Sequence, residues 1–255
     1  KELIVVAQDP TAYGEDWGRP GAICELLDRL QEIDGIRWIR ILYAYPERIS
    51  DAFIAAMVRN TKVVPYLDLP IQHCDDAVLK AMNRRGGRKE IEDAIARLRA
   101  AIPGITLRTT LIAGFPGETE EQYAELCDFV KTVRFDRLGC FAYSAEENTV
   151  AAKMPNQIDE ETKQRRADHI MELQAEVSAE REGEKVGHTY ECICDGVDDE
   201  TGMYLLRTKA DCPEIDGNVL TPADTPLETG AFYKVTITDS DTYDLYGYAE
   251  ERLED

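Results

Sequence analysis

The feature that most constrains this chain is the stretch from Thr106 to Gln122. It begins Thr-Leu-Arg-Thr-Thr-Leu-Ile-Ala and continues Gly-Phe-Pro-Gly-Glu-Thr-Glu-Glu-Gln. The first half is β-branched and apolar, which reads as a strand buried on both faces. Gly114 follows at once and Pro116-Gly117 turns the chain. Thr119 with Gln122 fits a capping box, so a helix starts there. Strand, glycine turn and capped helix make one βα unit, and in parallel α/β folds ligands bind at the carboxyl ends of such strands. At Gly114 no Cβ blocks the close approach of a flat ligand. Any βα turn can need a glycine, however, so this stretch alone leaves both readings open.

The same grammar repeats along the first half of the chain. Strands are predicted at Leu3–Ala7, Trp38–Tyr43, Val63–Leu69, Thr106–Ala113 and Arg137–Tyr143. Between them run helical patterns such as Ile23, Leu26, Leu27, Leu30 and Ile33, then Phe53, Ile54, Met57 and Val58 after the cap Ser50. Ile91, Ile95 and Leu98 mark another, and Tyr123, Leu126, Phe129 and Val130 the one after the central strand. Five βα units in a row indicate α/β architecture, a parallel sheet or partial barrel with right-handed crossovers. Their polar endings, at Gln8, Tyr45, Gln72-His73, Gly114 to Glu118 and Ser144 to Glu147, should gather on one rim.

A long helical segment from about Asp159 to Lys185 follows, rich in Glu, Arg and Gln, with a thin apolar stripe at Ile170, Leu173 and Val177. It reads as a connector, residues 159–187, between a first domain of residues 1–158 and a second of residues 188–255. The second shows five short strand signals, at Tyr190–Cys194, Tyr204–Lys209, Gly217–Leu220, Phe232–Asp239 and Leu245–Tyr248, which suggest a small antiparallel β-barrel.

Charge separates the two halves. From Gly183 onward 18 acidic residues face 5 basic ones, a net −13 of the chain's −21. So acidic a surface repels a phosphate backbone, whose protein partners bind through Lys and Arg. It attracts a basic protein, or else serves only as a solvated face. Seven scattered cysteines argue against a secreted disulfide framework and for a cytoplasmic, reducing home. Cys24, Cys74, Cys127 and Cys140 read as structural thiols, and the two-residue step from Cys192 to Cys194 is wrong for a zinc site. No apolar run is long enough to span a bilayer, and no signal-peptide pattern opens the chain.

In order, Val-Val-Ala-Gln-Asp at 5–9, Tyr-Leu-Asp-Leu-Pro-Ile-Gln-His at 66–73, Met-Asn-Arg-Arg-Gly at 82–86, Arg-Thr-Thr-Leu-Ile-Ala-Gly-Phe-Pro-Gly-Glu-Thr at 108–119 and Tyr-Ser-Ala-Glu-Glu at 143–147 resemble the radical S-adenosylmethionine (SAM) methylthiotransferases. The resemblance covers essentially the whole chain. It implies the last five units of a radical SAM partial βα barrel followed by a small β-barrel TRAM domain. Leu-Tyr-Ala-Tyr-Pro at 42–46, Gln-His at 72–73, Ser-Ala-Glu-Glu at 144–147 and Asp-Cys-Pro-Glu-Ile-Asp-Gly at 211–217 are similar to the RimO branch, which modifies an aspartate of the small-subunit ribosomal protein S-twelve. The other branch acts on an adenosine of transfer RNA and carries a more basic β domain. The acidic second half accords with the first, and with a basic ribosomal protein or the small ribosomal subunit as partner. A non-catalytic acidic binding module is the reading from another class.

The resemblance implies SAM and two [4Fe–4S] clusters in the whole enzyme. The family's Cys-x-x-x-Cys-x-x-Cys loop, which ligates a cluster, is absent here, as are the three cysteines of the second cluster. Those ligands are expected upstream of Lys1, so no metal ligand is assigned in this chain and the piece alone is expected to be inactive. By motif position, Gly114 is implied to lie against the adenine, Gln72 with Arg108 to make polar contacts to ribose or carboxylate, and Gln8 to lie near the methionine amino group. Gln8 and Gln72 could instead merely tie down loops, and Arg108 could pair with a neighbouring carboxylate. His73 is open between structure and contact. Glu118, beside a helix amino terminus where a carboxylate is favourable anyway, is expected to be structural. Arg84 and Arg85 at a helix end fit a solvated terminus.

Overall fold

A computed structural model describes residues 1–224 and 226–254. Strands β1 (Glu2–Val5), β2 (Trp38–Ile41), β3 (Val63–Asp68), β4 (Thr106–Ala113) and β5 (Arg137–Ala142) form one parallel sheet in sequence order. Helices α1 (Ala22–Gln31), α2 (Asp51–Arg59), α3 (Asp76–Ala81), α4 (Arg88–Ala101) and α5 (Glu120–Val133) lie between the strands. Their starts obey local chemistry: Ser50 accepts from Phe53 N, Asp75 from Val78 N, and Thr119 and Gln122 close the capping box. One face of the sheet, including Ile39, Ile41, Leu67, Leu107 and Leu111, is buried beneath Leu27, Phe53, Ile95, Leu98 and Leu126 from the helices. Two positions in the apolar patterns fall elsewhere. Ile33 lies past the end of α1, and Val58 turns out of α2 into solvent, because the side chain following Met57 has rotated beyond the buried stripe.

The segment after β5 is more than a connector. Helix α6 (Glu160–Gly183), capped by Asp159, packs along α5, β4 and β5. Ile170, Leu173 and Val177 are buried, and so are Lys163, Arg166, Gln174, Ser178 and Glu182. The sequence pattern looked thin because half of the packed face is polar. Most of those groups have partners: Arg166 on Glu118 at 2.7 Å, Glu182 on Arg137 at 2.5 Å, and the Gln174 amide nitrogen on Phe135 O at 2.9 Å.

The second half is a closed barrel of β6 (Thr189–Val197), β7 (Tyr204–Thr208), β8 (Val219–Thr221), β9 (Phe232–Ser240) and β10 (Leu245–Arg252), in the order β10-β8-β7-β6-β9. Every pairing is antiparallel except the one between β8 and β10, which is parallel. Cys192, Cys194, Leu206, Val219, Val235 and Ile237 fill the interior.

The barrel docks on the amino-terminal half of the sheet face that carries no helices. Side chains alternate along a strand, so Trp38, Arg40, Val64 and Tyr66 point there while their neighbours face the helices. Trp38 packs edge-on against Phe232, ring centroids 4.9 Å apart, within a cluster that includes Leu42, Val64, Tyr66, Ile193 and Cys212. Its indole N–H donates to Glu191 at 2.8 Å. Around this apolar seal lie buried ion pairs. Arg40 and Arg207 both bond Glu2 at 2.8 Å, and Arg137 holds Asp211 at 2.6 Å as well as Glu182. Tyr66 Oη donates to Asp216 at 2.7 Å.

Burial works against ionised Asp211, but Arg137 and Lys185, with hydrogen bonds from Arg137 and Thr208, outweigh it and hold the carboxyl below its ordinary range. A depressed acid gives stability that is complete above its unfolded pKa and is lost as pH falls through its folded one. Urea midpoints measured from neutral pH downward should therefore fall below about pH 4, with a shallower acid limb in Asp211→Asn. Trp38→Ala should cost about 3–5 kcal/mol. Because the indole seals both halves, that variant should unfold in two separable transitions where the parent shows one, as read by calorimetry.

Candidate functional site

The carboxyl ends of β3, β4 and β5 form the rim of the face that the barrel leaves open. The chain after β3 stays in register with β4: Gln72 N donates to Thr110 O at 2.9 Å and Ile112 N to Gln72 O at 2.8 Å. Tyr143 N donates to Ala113 O at 2.9 Å. Gln72, Gly114 and Ser144 therefore stand at one end of the sheet.

A cleft of about 780 Å³ opens there, lined by Gln72, Met82, Arg84, Ile112, Phe115 and Tyr143 among others. Phe115 and Tyr143 meet edge to face at 5.3 Å. Two polar atoms in its wall, Gln72 Oε1 and Tyr143 Oη, are buried and have no hydrogen-bond partner among the described residues. Buried polar groups are ordinarily satisfied. Gln72 also holds a left-handed backbone, φ +70°, which costs a side-chain-bearing residue on the order of 1–3 kcal/mol. Strain and an orphaned acceptor thus coincide at one residue of the cleft wall. Arg84 is not a solvated terminus: it stacks 4.5 Å over the Tyr45 ring and donates to Pro70 O, tying the ends of β2 and β3 together.

Gly114 has φ +77° and sits against α6. A Cβ there would lie 2.5 Å from Lys163 Cγ and 3.1 Å from Lys163 Cα. Its amide donates at 3.0 Å to Glu118 Oε2, whose other oxygen binds Arg166 at 2.7 Å. His73 accepts from Asp75 N at Nδ1, 3.0 Å, and its Nε2 lies 3.5 Å from Glu118. Glu118, His73 and Arg166, all buried, thus form a strut under the glycine turn. Gly114 itself does not line the cleft; it lets the helix close onto the turn.

Arg108 lies lower on the same face, bonded to Asp68 at 2.9 Å and 3.6 Å from Asp216 of the barrel. It pairs with neighbouring carboxylates and is outside the rim cleft. Gln8 is exposed beyond the end of β1, apart from the cleft as well. Ser144 is exposed and donates to Glu146 at 2.8 Å. Of the four predicted cofactor contacts, only Gln72 lines the cleft. Sequence reasoning missed the cleft-lining Tyr143, Phe115 and Ile112, because apolar side chains at strand ends look like core, and Met82, which follows helix α3; the signal was the rim position itself.

Among the described residues no group of three or more His, Cys, Asp or Glu side chains is placed to hold a metal ion. Burial pushes the Cys74 and Cys140 thiols up to about 12, which keeps them protonated and poor as ligands. An iron–sulfur cluster does not fit these residues.

The profile of the radical SAM superfamily matches residues 1–130, half of the chain. The chain belongs to the radical SAM superfamily. A TRAM-domain profile matches residues 186–249, the closed barrel. Among curated proteins, ribosomal protein uS12 methylthiotransferase RimO of Pelobacter propionicus is 47% identical over 253 residues, covering 99% of this chain and 56% of its own length. The protein of the same name from Clostridioides difficile is 45% identical over 247 residues, 97% of this chain and 55% of its own. The chain thus spans about half the length of the curated relatives it matches. Two solved structures share the fold: coproporphyrinogen III oxidase HemN from Escherichia coli (TM-score 0.51, 20% identity, 62% of this chain and 37% of that one) and Elp3 from Methanocaldococcus infernus (0.50, 16%, 68% and 44%).

The radical SAM sheet depends on the glycine turn in a way that two glycines distinguish. Gly114→Ala meets both the left-handed backbone and Lys163, and should cost about 1–3 kcal/mol. At Gly117, φ +86°, an added methyl would meet nothing within 4 Å, so Gly117→Ala should cost only about 1 kcal/mol. Equal urea midpoints for the two variants would refute the packing role of Gly114.

Proposed function

We propose that this chain is the barrel and TRAM part of a radical SAM methylthiotransferase that adds a methylthio group to the β-carbon of an aspartate in ribosomal protein uS12. The observation that carries the reading is the identity of 45–47% across 97–99% of the chain to proteins named for that activity. The rim cleft supports it: its volume suits a nucleoside-bearing cofactor, and an amide acceptor and a phenol wait unpaired in its wall. Gln72 and Tyr143 would hold the cofactor's polar groups, with Ile112, Phe115 and Met82 against its flat part. Bound there and given one electron by a reductant outside this chain, SAM would lose methionine and supply a carbon-centred radical able to take hydrogen from an unactivated carbon. Two [4Fe–4S] clusters belong to the reading of the whole enzyme, with no ligand in this chain. What these residues do is bind, orient and keep water away from the reacting carbon.

The net −13 of the second half favours a basic protein over transfer RNA as the recognised partner. The reading places the protein in the cytoplasm, where ribosomes are modified. The test uses the full-length protein, reduced and kept from oxygen, with SAM and uS12. It should cleave SAM and replace one hydrogen of a uS12 aspartate with a methylthio group, as seen by mass spectrometry. Gln72→Ala should raise KM for SAM about tenfold, the worth of one lost hydrogen bond of about 1.4 kcal/mol. Modification of a transfer RNA in place of uS12 would overturn the substrate assignment.

A further inference from the structure

A second cavity, of about 500 Å³, lies between the two halves on the same open sheet face. One wall is β5 and α6, with Arg137, Gly139, Phe141, Gln174 and Ser178; the other is barrel loops, with Ile215, Asp216, Tyr243 and Asp244. The cofactor reading does not use it.

Three observations describe what it would take. First, its mouth is apolar: Phe141, Ile215 and Tyr243 are 62%, 48% and 45% exposed, an unusual set of large side chains to leave in water at one place. Second, Gln174 Oε1 and Ser178 Oγ in its wall have no partner among the described residues, although both side chains are 1% exposed. The Gln174 nitrogen is committed to Phe135 O, so the oxygen can only accept. Third, the local charge is negative. Arg108 and Arg137 are each paired with two carboxylates, Asp68 with Asp216 and Glu182 with Asp211. Asp136, itself 3.8 Å from Arg181, and Asp244 complete the acidic lining, and Asp244 forms no ion pair among the described residues, only a hydrogen bond from Asn218 N at 2.7 Å. Burial, the first cause, and nearby Asp241 and Asp211 push that carboxyl above its ordinary range, as expected of a carboxylate short of a cation.

We propose that this cavity is a docking pocket for a lysine side chain presented by the basic protein partner. A lysine has an apolar stem to lie along Phe141, Ile215 and Tyr243, and three donors with no acceptor. Its ammonium meets the Gln174 oxygen and the Ser178 hydroxyl, which have no hydrogen-bond partner among the described residues, and the Asp244 carboxylate, which has no cation there. A carboxylate side chain would face Asp136, Asp216 and Asp244 and is excluded. The pocket opens on the face whose other end is the rim cleft, so a lysine held here would anchor a polypeptide running toward the reacting centre. The identity of the partner rests on the function proposed above; the ammonium rests on the cavity alone.

The test has two arms. In the first, the chain of residues 1–255 is titrated by NMR with the pentapeptide acetyl-Gly-Gly-Lys-Gly-Gly-amide. Saturable shifts should appear at Gln174, Ser178 and Asp244. Asp244→Asn and the lip variant Tyr243→Ala, both at positions that leave the core intact, should each weaken binding about tenfold, as should acetylation of the lysine Nε. Equal binding of the acetylated peptide, tighter binding of a glutamate or arginine version, or shifts confined elsewhere would overturn the pocket. In the second arm, full-length protein is titrated with uS12. A tenfold weaker complex with Asp244→Asn supports the anchor, and an unchanged one overturns it. Should the parent protein not bind uS12 at all, the function reading fails while the first arm still reports on the pocket.

Discussion

The contact between Trp38 and Phe232 is where the two halves become one body. A strand buried on both sides must find apolar cover for its second face, and Trp38 and Tyr66 present side chains that water would leave uncovered. Phe232 and Ile193 from the barrel supply that cover. The cover stops half-way up the strands. Beyond it, Thr110, Ile112 and Phe141 continue the same face without a lid; this uncovered half holds the rim cleft, and the second cavity lies at its border with the barrel. The site therefore exists because the barrel is docked low, at the amino-terminal ends.

The ion pairs around this seal have another role. Taking Arg40, Arg137 and Arg207 out of water costs several kcal/mol per charge, and the carboxylates that meet them do little more than offset it. Their geometry is nevertheless exacting: Glu2 from β1 accepts from Arg40 of β2 and from Arg207 of β7 at once. A barrel shifted by one residue would strand buried charges on both sides. The apolar seal supplies the energy, and the charges fix the orientation, which decides which barrel loops overlook the sheet.

The sequence made the order of elements legible because the signals were local. Thr119 and Gln122 announced a helix by their own hydrogen bonds, and the five strands carried short, largely apolar runs closed by polar or turn residues. What stayed hidden depended on contacts distant along the chain. Nothing in the pattern of Lys163, Arg166, Gln174 and Glu182 says that they face inward, since their partners lie about 40 or more residues away in the chain for Arg166, Gln174 and Glu182. For Arg108 the sequence left a ligand contact and a carboxylate partner both open, because Asp68 and Asp216, which it meets, lie far from it along the chain or across the barrel boundary. Gln72 was identified by motif, yet its left-handed backbone and unpaired oxygen could not have been read from residue order. At Gly114 the missing Cβ reads in the sequence as room for a flat ligand, while the group pressed against it is the stem of Lys163.

One small contact carries a wider consequence. The last strand of the parallel sheet would present a bare row of amides at its free side, but Cys140 N is met there by Met171 Sδ of α6 at 3.2 Å. Unguarded sheet margins recruit strands from other molecules. Helix α6, packed along β5, thus covers the margin at which another strand could otherwise pair. A sulfur is a weak acceptor, easily let go, so the margin is shielded without being locked.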